Sequence, residues 1–126
     1  MARFLPVYVN TTPFEVTLSN SEAGTATKIT DAAGNGCAGV LVRGVVAALA
    51  STGGKVTVNI YNGASTADAV QQYSVELDFT STTETSDTQE PGIPVLTDPY
   101  ITMTADSTAN TKDFACVVYL QKIAVD

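Results

Sequence analysis

The segment "KVTVNIYNGASTADAVQQYSVELDF", residues 55–79, contains two runs in which every second residue is apolar. In the first run Val56, Val58 and Ile60 share one face, and an Asn-Gly turn pair follows. In the second run the apolar positions are Tyr73, Val75, Leu77 and Phe79, and polar residues separate them. Because successive side chains of a strand point to opposite faces, this spacing predicts two half-buried β-strands.

Further strands are predicted on both sides of this segment. "FEVTL" (14–18) alternates in the same way, and "YITMT" (100–104) does so more weakly. "DFACVVYLQKI" (113–123) is apolar on both faces in its middle, which predicts a strand through the centre of a sandwich. "GVLVRGVVAALA" (39–50) fits a short helix or a buried strand, and its valines and Gly44 favour a strand with a bulge.

The length and composition predict one all-β domain. The chain has 126 residues, of which 44% are hydrophobic and 15% charged, and its connections are rich in Ser, Thr, Gly and Asn. We therefore predict a single β-sandwich or jelly-roll-like domain of about eight antiparallel strands. Residues 1–13 are assigned to an N-terminal arm or edge strand and residues 14–126 to the sandwich. The hydrophilic stretch Ser81–Gly92 is predicted to be a mobile acidic loop.

Charge argues against a nucleic-acid partner. The chain has 13 acidic and 6 basic residues and no His, for a net charge of −7. A protein of that sign repels phosphate backbones. The acids are concentrated between Glu76 and Asp113, where Lys112 is the one basic residue. We interpret this region as a solvated acidic face in preference to a cation site.

Two glycine-rich stretches resemble phosphate-binding loops in their glycine spacing but not in the secondary structure predicted around them. "GNGCAG" (34–39) has the G-x-G-x-x-G spacing, but a polar segment precedes it and a strand follows it, where a buried strand and a helix are required. We predict that it is a turn leading into the strand at Gly39. "STGGKVT" (51–57) is likewise predicted to be a hairpin turn with a lysine beside it.

The sequence does not favour catalysis. Without His there is no ordinary hydrolase triad, and the acids fall on outward strand positions or in turns. We predict no enzyme activity, no cofactor and no metal site. Cys37 and Cys116 are too few for a disulfide framework; they are free to pair, but a buried thiol is favoured for Cys116. No signal peptide or membrane span is predicted, and synthesis in a cytoplasm is expected.

The segment "RFLPVYV" has two interpretations. Its proline is compatible with an edge strand and not with a central one. It is therefore either a first strand or flap over the protein's own core, or an extended segment that docks on a neighbouring subunit through its aromatic residues. The candidate contact residues are Arg3, Phe4, Leu5, Pro6, Val7, Tyr8 and Val9, here called the contact segment.

In strand order and turn placement, residues 39–123 resemble small virion proteins of tailed bacteriophages that decorate or cement the capsid. The resemblance is carried by "GVLVRGVVAAL", "KVTVNIYNG", "QYSVELDF", "PGIPVLTDPYITMTADST" and "DFACVVYLQKI". It implies a homotrimer without catalytic residues that binds the major capsid protein at the virion surface. We expect the contact segment to form that interface and residues 84–90 to face outward.

A second function from another class stays open. A carbohydrate- or host-binding β-sandwich module of a phage tail or fibre would use tyrosine rings as stacking faces. Its candidate residues are Tyr61, Tyr73, Tyr100 and Tyr119. The chain has no Trp, and core packing explains some of these tyrosines equally well.

Overall fold

The described residues form eight β-strands and one short 3-10 helix. The structure is a computed structural model, and it describes residues 7–19, 26–64 and 69–125. The strands are β1 (Val7–Ser19), β2 (Thr27–Lys28), β3 (Gly39–Leu49), β4 (Lys55–Tyr61), β5 (Gln71–Asp78), β6 (Glu84–Val95), β7 (Tyr100–Ala105) and β8 (Phe114–Val125), and the 3-10 helix is Ala109–Thr111.

The strands are arranged as a jelly roll. One four-stranded sheet, here called the first sheet, has the order β1-β8-β3-β6, and the second sheet has the order β2-β7-β4-β5. The pairs β1·β8, β2·β7, β3·β6 and β4·β5 are all antiparallel, so the chain is folded as one long nested hairpin wound into two layers. The predicted all-β sandwich of about eight strands is confirmed.

The core lies between the two sheets, where the period-2 alternation sends the apolar side chains. From the second sheet Val56, Val58 and Ile60 are fully buried, and Phe79 closes the layer after β5. From the first sheet β3 and β8 contribute the buried residues Val40, Val42, Val45, Cys116, Val118 and Leu120. Each such aliphatic side chain stabilises the fold by about 1.5–3 kcal/mol relative to exposure.

The ambiguous segment 39–50 is a strand with a bulge, as predicted. β3 lies between β8 and β6, and its register against both neighbours shifts between Val42 and Gly44. The long C-terminal strand β8 is central, as predicted, but its outer face stays partly open to solvent. Val117 is half-buried and Tyr119 is exposed on that face.

The prediction that Ser81–Gly92 is an acidic loop is wrong. Most of it belongs to β6, an edge strand that pairs with β3. Its inward positions carry Thr85, Asp87 and Gln89, which are half-buried and polar, so the strand lacks the apolar alternation by which the other strands are predicted. Pairing with the β3 backbone holds it in the sheet.

The prediction of a hairpin turn at Ser51–Gly54 is also wrong. β3 and β4 belong to different sheets, so this turn carries the chain from one layer to the other. Backbone hydrogen bonds attach it to the end of β5: Gly53 N–H donates to the Phe79 carbonyl at 2.6 Å, and Phe79 N–H donates to the Gly54 carbonyl at 2.9 Å. The Lys112 ammonium, far away in sequence, donates to the Thr52 carbonyl and to the Gly53 carbonyl at 2.9 Å.

Candidate functional site

The contact segment is only partly within the described residues. Residues 3–6 lie outside them, and Val7–Val9 begin β1, where they pair with the end of β8 from Val125 to Ile123. β1 is an edge of the first sheet, and no ladder partner on its other side occurs among the described strands. The backbone of Val7–Val9 therefore pairs with β8 on one side and with none of the described strands on the other.

The opposite edge of the same sheet is acidic. β6 carries Glu84, Asp87 and Glu90, and it is separated from β1 by β8 and β3. The Arg43 guanidinium on β3 forms an ion pair with Glu90, which is the more exposed partner. Arg43 offsets one of the three carboxylates, so β6 keeps a net negative charge.

A partly buried hydrogen bond joins the two sheets beside this acidic edge. The Tyr73 hydroxyl on β5 donates to the Asp87 carboxylate on β6 at 2.7 Å, and the Gln89 amide donates to the same oxygen at 2.7 Å. Burial and the neighbouring carboxylate hold the pKa of Tyr73 well above its usual range. The Tyr73 hydroxyl is therefore protonated at neutral pH, and its hydrogen bond joins β5 to β6.

A pocket of about 260 Å³ opens between the edges of the two sheets, at the start of β5 and the end of β6. It is lined by Asn62, Gln72, Pro94, Leu96 and Thr97. Leu96 is 53% exposed, and the nearby Val70 is 58% exposed. The Val70 N–H donates to the side-chain oxygen of Asn62, a lining residue, at 2.7 Å. The pocket thus has an uncharged lining in which Leu96 is the exposed apolar side chain.

The sequence interpretation missed this pocket. Val70 and Leu96 stand outside any alternating run, next to turn residues, so nothing in their spacing relates one to the other. Only the nested pairing of the strands brings Asn62 and Gln72 to the same end of the sandwich as Pro94, Leu96 and Thr97. Each residue lies directly beside the end of a strand, Val70 before β5 and Leu96 after β6.

The "GNGCAG" stretch leads into the core strand β3 at Gly39, as predicted, but it does not itself form the turn. The turn lies at residues 32–34, and Gly36 already forms an antiparallel β-bridge with Thr30. The Asp31 carboxylate accepts hydrogen bonds from the backbone N–H groups of Ala33 and Asn35, both at 3.0 Å. Lys122 on β8 forms an ion pair with Asp31 at 3.0 Å. These hydrogen bonds, with the one to Asn35 the largest cause, hold the pKa of Asp31 below its usual value.

The four candidate tyrosines are dispersed. Tyr73 is buried in the core, and Tyr119 is exposed on the outer face of the first sheet. Tyr61 and Tyr100 are neighbours across β4 and β7, and the Lys28 ammonium lies 5.6 Å from the centre of the Tyr100 ring. At most two of the four therefore share a surface, and a cation already covers one of those rings.

The outer face of the first sheet has an apolar strip at its centre. Val46 (43% exposed) pairs with Val117 across β3 and β8, and Ala48 pairs with Ala115 in the same strands. With Tyr119 these residues form the strip. Its neighbours on the edge strands are polar, so the apolar area is confined to the middle of the sheet.

Neither cysteine is in a disulfide. Cys37 and Cys116 are both buried free thiols. Burial raises the pKa of Cys37, and it raises the pKa of Cys116 to about 12. Both therefore belong to the packing of the core.

Two sequence comparisons, one with protein-family models and one with curated proteins, find no match to this chain. Within residues 7–19, 26–64 and 69–125, no three His, Cys, Asp or Glu side chains are grouped so that they could hold a metal ion. In the same residues no helix has the length and apolar character needed to cross a bilayer.

Proposed function

We propose that this chain is a virion structural protein that decorates and cements the outer surface of a phage capsid by bridging major capsid protein subunits. It acts as a homotrimer and carries no cofactor. The proposal is based on the two edges of the first sheet, which differ in character. β1 forms one edge and contains the end of the contact segment. The acidic strand β6 forms the opposite edge.

This opposition gives the molecule a polarity suited to a surface protein. A subunit that docks through the β1 edge directs Glu84 and Glu90 away from the particle. Negative charge on the solvent side keeps a densely coated particle dispersed. The free side of β1 offers backbone donors and acceptors to a capsid strand, and aromatic residues of the contact segment supply anchors.

The fold supports the proposal without deciding it, because jelly rolls serve both viral capsid and lectin domains. The positions of the tyrosines favour the capsid role over the carbohydrate-binding alternative. Tyr73 is buried and Tyr119 lies on the other sheet from Tyr61 and Tyr100, so the four do not form one stacking surface. An array of neutral glycans that yields a specific ligand would favour the alternative.

The mechanism is mechanical. Binding energy that exists only when capsid subunits are in their expanded positions stabilises that lattice by mass action. Because a trimer engages several sites at once, its second and third contacts form at high effective concentration, and weak single contacts suffice.

The proposal is tested by sedimenting the purified chain with empty phage shells assembled from the major capsid protein that it is proposed to bind. We expect the chain to sediment with expanded shells and not with unexpanded ones. A variant in which residues 3–9 are replaced by a Gly-Ser segment of equal length should keep its circular dichroism spectrum and lose the binding. Normal binding by that variant, or equal binding to both forms of the shell, would refute the proposed contact.

A further inference from the structure

We infer that the apolar strip on the outer face of the first sheet is the surface through which three copies of the chain form a trimer. In this trimer the three strips meet around the threefold axis, and Tyr119 of each copy lies against Ala115 of the next. The inference rests on the proposed function, since it names the interface between the subunits of the proposed homotrimer.

The outer faces of the two sheets differ in chemical character. On the first sheet Val46 is 43% exposed and Tyr119 is 36% exposed, and they belong to the two central strands β3 and β8. On the second sheet the outward residues Lys55, Glu76 and Asp78 are exposed. An apolar patch with a polar surround is typical of a protein–protein contact, whereas charged side chains favour solvent. The first sheet is therefore the layer that a partner covers.

The strip faces sideways when the β1 edge lies against the shell. The strand order is β1-β8-β3-β6, so a line drawn across the sheet from β1 to β6 passes over the strip and points away from the particle. The capsid surface beneath the β1 edge then does not cover the strip, whereas a neighbouring subunit does. A threefold axis parallel to this line brings three strips together and keeps all three β1 edges on the same side of the trimer.

The two halves of the strip differ in size and fit each other. Val46 and Val117 pair across β3 and β8 and form a central column, and Ala48 pairs with Ala115 on one side of it. Tyr119 lies on the other side, two residues beyond Val117 in β8. Around a threefold axis along the central column, the small half of one copy meets the large half of the next. The tyrosine ring then packs over alanines, which gives the close fit that interface cores require.

The charges beside the strip permit this contact. Glu15 on β1 pairs with Tyr119, and Glu84 on β6 pairs with Ala48, so the two acids lie at diagonally opposite corners of the strip. Where two copies meet, Glu84 of one and Glu15 of the next stay separated by the three strand spacings from β6 to β1, about 14 Å. This exceeds the Debye length of about 8 Å at physiological salt, so their repulsion is weak.

The first test is the mass of the purified full-length chain by size-exclusion chromatography with light scattering. We expect three times the chain mass of 13.1 kDa. Val46→Asp places a charge at the centre of the strip and should reduce the mass to that of one chain. Val70→Asp is the matched control, because it makes the same substitution at a valine that is 58% exposed directly before β5, and it should leave the trimer intact. Unchanged circular dichroism spectra establish that both variants are folded.

The second test asks which residues meet. A variant with both Ala115→Cys and Tyr119→Cys should form disulfides between neighbouring copies on mild oxidation and migrate as a covalent trimer on a non-reducing denaturing gel. The two positions are four residues apart in β8, about 13 Å, so they are too distant to pair within one chain. Each single variant should migrate as one chain. Cys37 and Cys116 are buried and should not take part.

A wild-type chain with the mass of one copy would overturn the inference, as would a trimer that survives Val46→Asp or is lost with Val70→Asp. Covalent products that stop at two chains would also overturn it, because they indicate a twofold contact. The two proposals fail separately. Trimers that pass both tests but ignore expanded shells refute decoration alone, and shell binding by a chain that fails both tests refutes the strip interface alone.

Discussion

Gly54 and Gly34 both have a positive φ, +99° and +86°, but their surroundings differ. A Cβ on Gly54 would lie 2.5 Å from the backbone nitrogen of Ala109, whereas a Cβ on Gly34 would have no atom within 4 Å. We expect Gly34→Ala to cost about 1–2 kcal/mol through backbone strain alone. Gly54→Ala should cost clearly more, about 3 kcal/mol or above, because the 3-10 helix must also move. Urea unfolding of both variants checks this, and equal losses would contradict it.

Asp31 gives the fold a defined response to acid. Its pKa is lowered in the folded state from 3.8, so its stabilising effect is complete above the unfolded value and disappears as the pH falls through the folded one. We expect Asp31→Asn to be less stable than wild type at pH 7, because the Lys122 ion pair is lost. The gap should close below about pH 4. Melting temperatures measured as a function of pH test this, and a gap that persists in acid would contradict it.

The two thiols should be inert in the native protein. Cys116 is fully buried and its pKa is raised to about 12, so almost no thiolate is present at neutral pH. We expect no reaction with a disulfide reagent until denaturant is added, and then two thiols per chain. Reaction of one thiol in the native protein would show that a cysteine is accessible. A lack of reactive thiols after unfolding would show that the two cysteines form a disulfide.

At the scale of the strands, the bond between Tyr73 and Asp87 fixes β5 against β6. Tyr73→Phe leaves the Asp87 carboxylate without its donor from the other sheet, and we expect a loss of about 1–3 kcal/mol. Tyr61→Phe is the control, since no hydrogen bond of the Tyr61 hydroxyl occurs within the described ranges, and it should change stability by less than about 0.5 kcal/mol. Chemical denaturation of the two variants decides the matter, and equal effects would contradict the role of the bond.

Strands with one apolar face were predictable from the sequence, and the strand with a polar inner face was not. The alternation in 55–61 and 72–79 indicates β4 and β5 directly, and Gly44 correctly indicated the bulge in β3. β6 was missed because its inward residues satisfy their polar groups through hydrogen bonds, such as that of Asp87 to Tyr73. The turn at Ser51–Gly54 was misassigned because a local pattern does not show that β3 and β4 belong to different sheets.

The pocket could not be predicted from the sequence, because its residues meet only through long-range strand pairing. Its residues come from the end of β4, the start of β5 and the end of β6, and only the long-range pairing of the jelly roll brings Asn62 and Leu96 together. Of the predicted contact segment, Val7–Val9 lie in an edge strand, which is the placement that Pro6 allows. The role of the whole segment in contacting a partner stays a prediction.

At the scale of the whole molecule, the nested hairpin creates two different sides. One side is the β1 edge, which continues from the contact segment, and the other combines the acidic β6 edge, the free β5 edge and the pocket. We propose that the first side faces the capsid and that the second faces solvent. A trimer of subunits that dock in this way presents three β1 edges to the particle at once, which is the arrangement that avidity requires.

Cryo-electron microscopy of expanded shells incubated with the purified chain tests decoration most directly. The account predicts jelly-roll density in threefold clusters on the outer surface, with the β1 edge against the shell and β6 towards solvent. Unexpanded shells should remain bare. Bare expanded shells, or density in which β6 faces the shell, would contradict it.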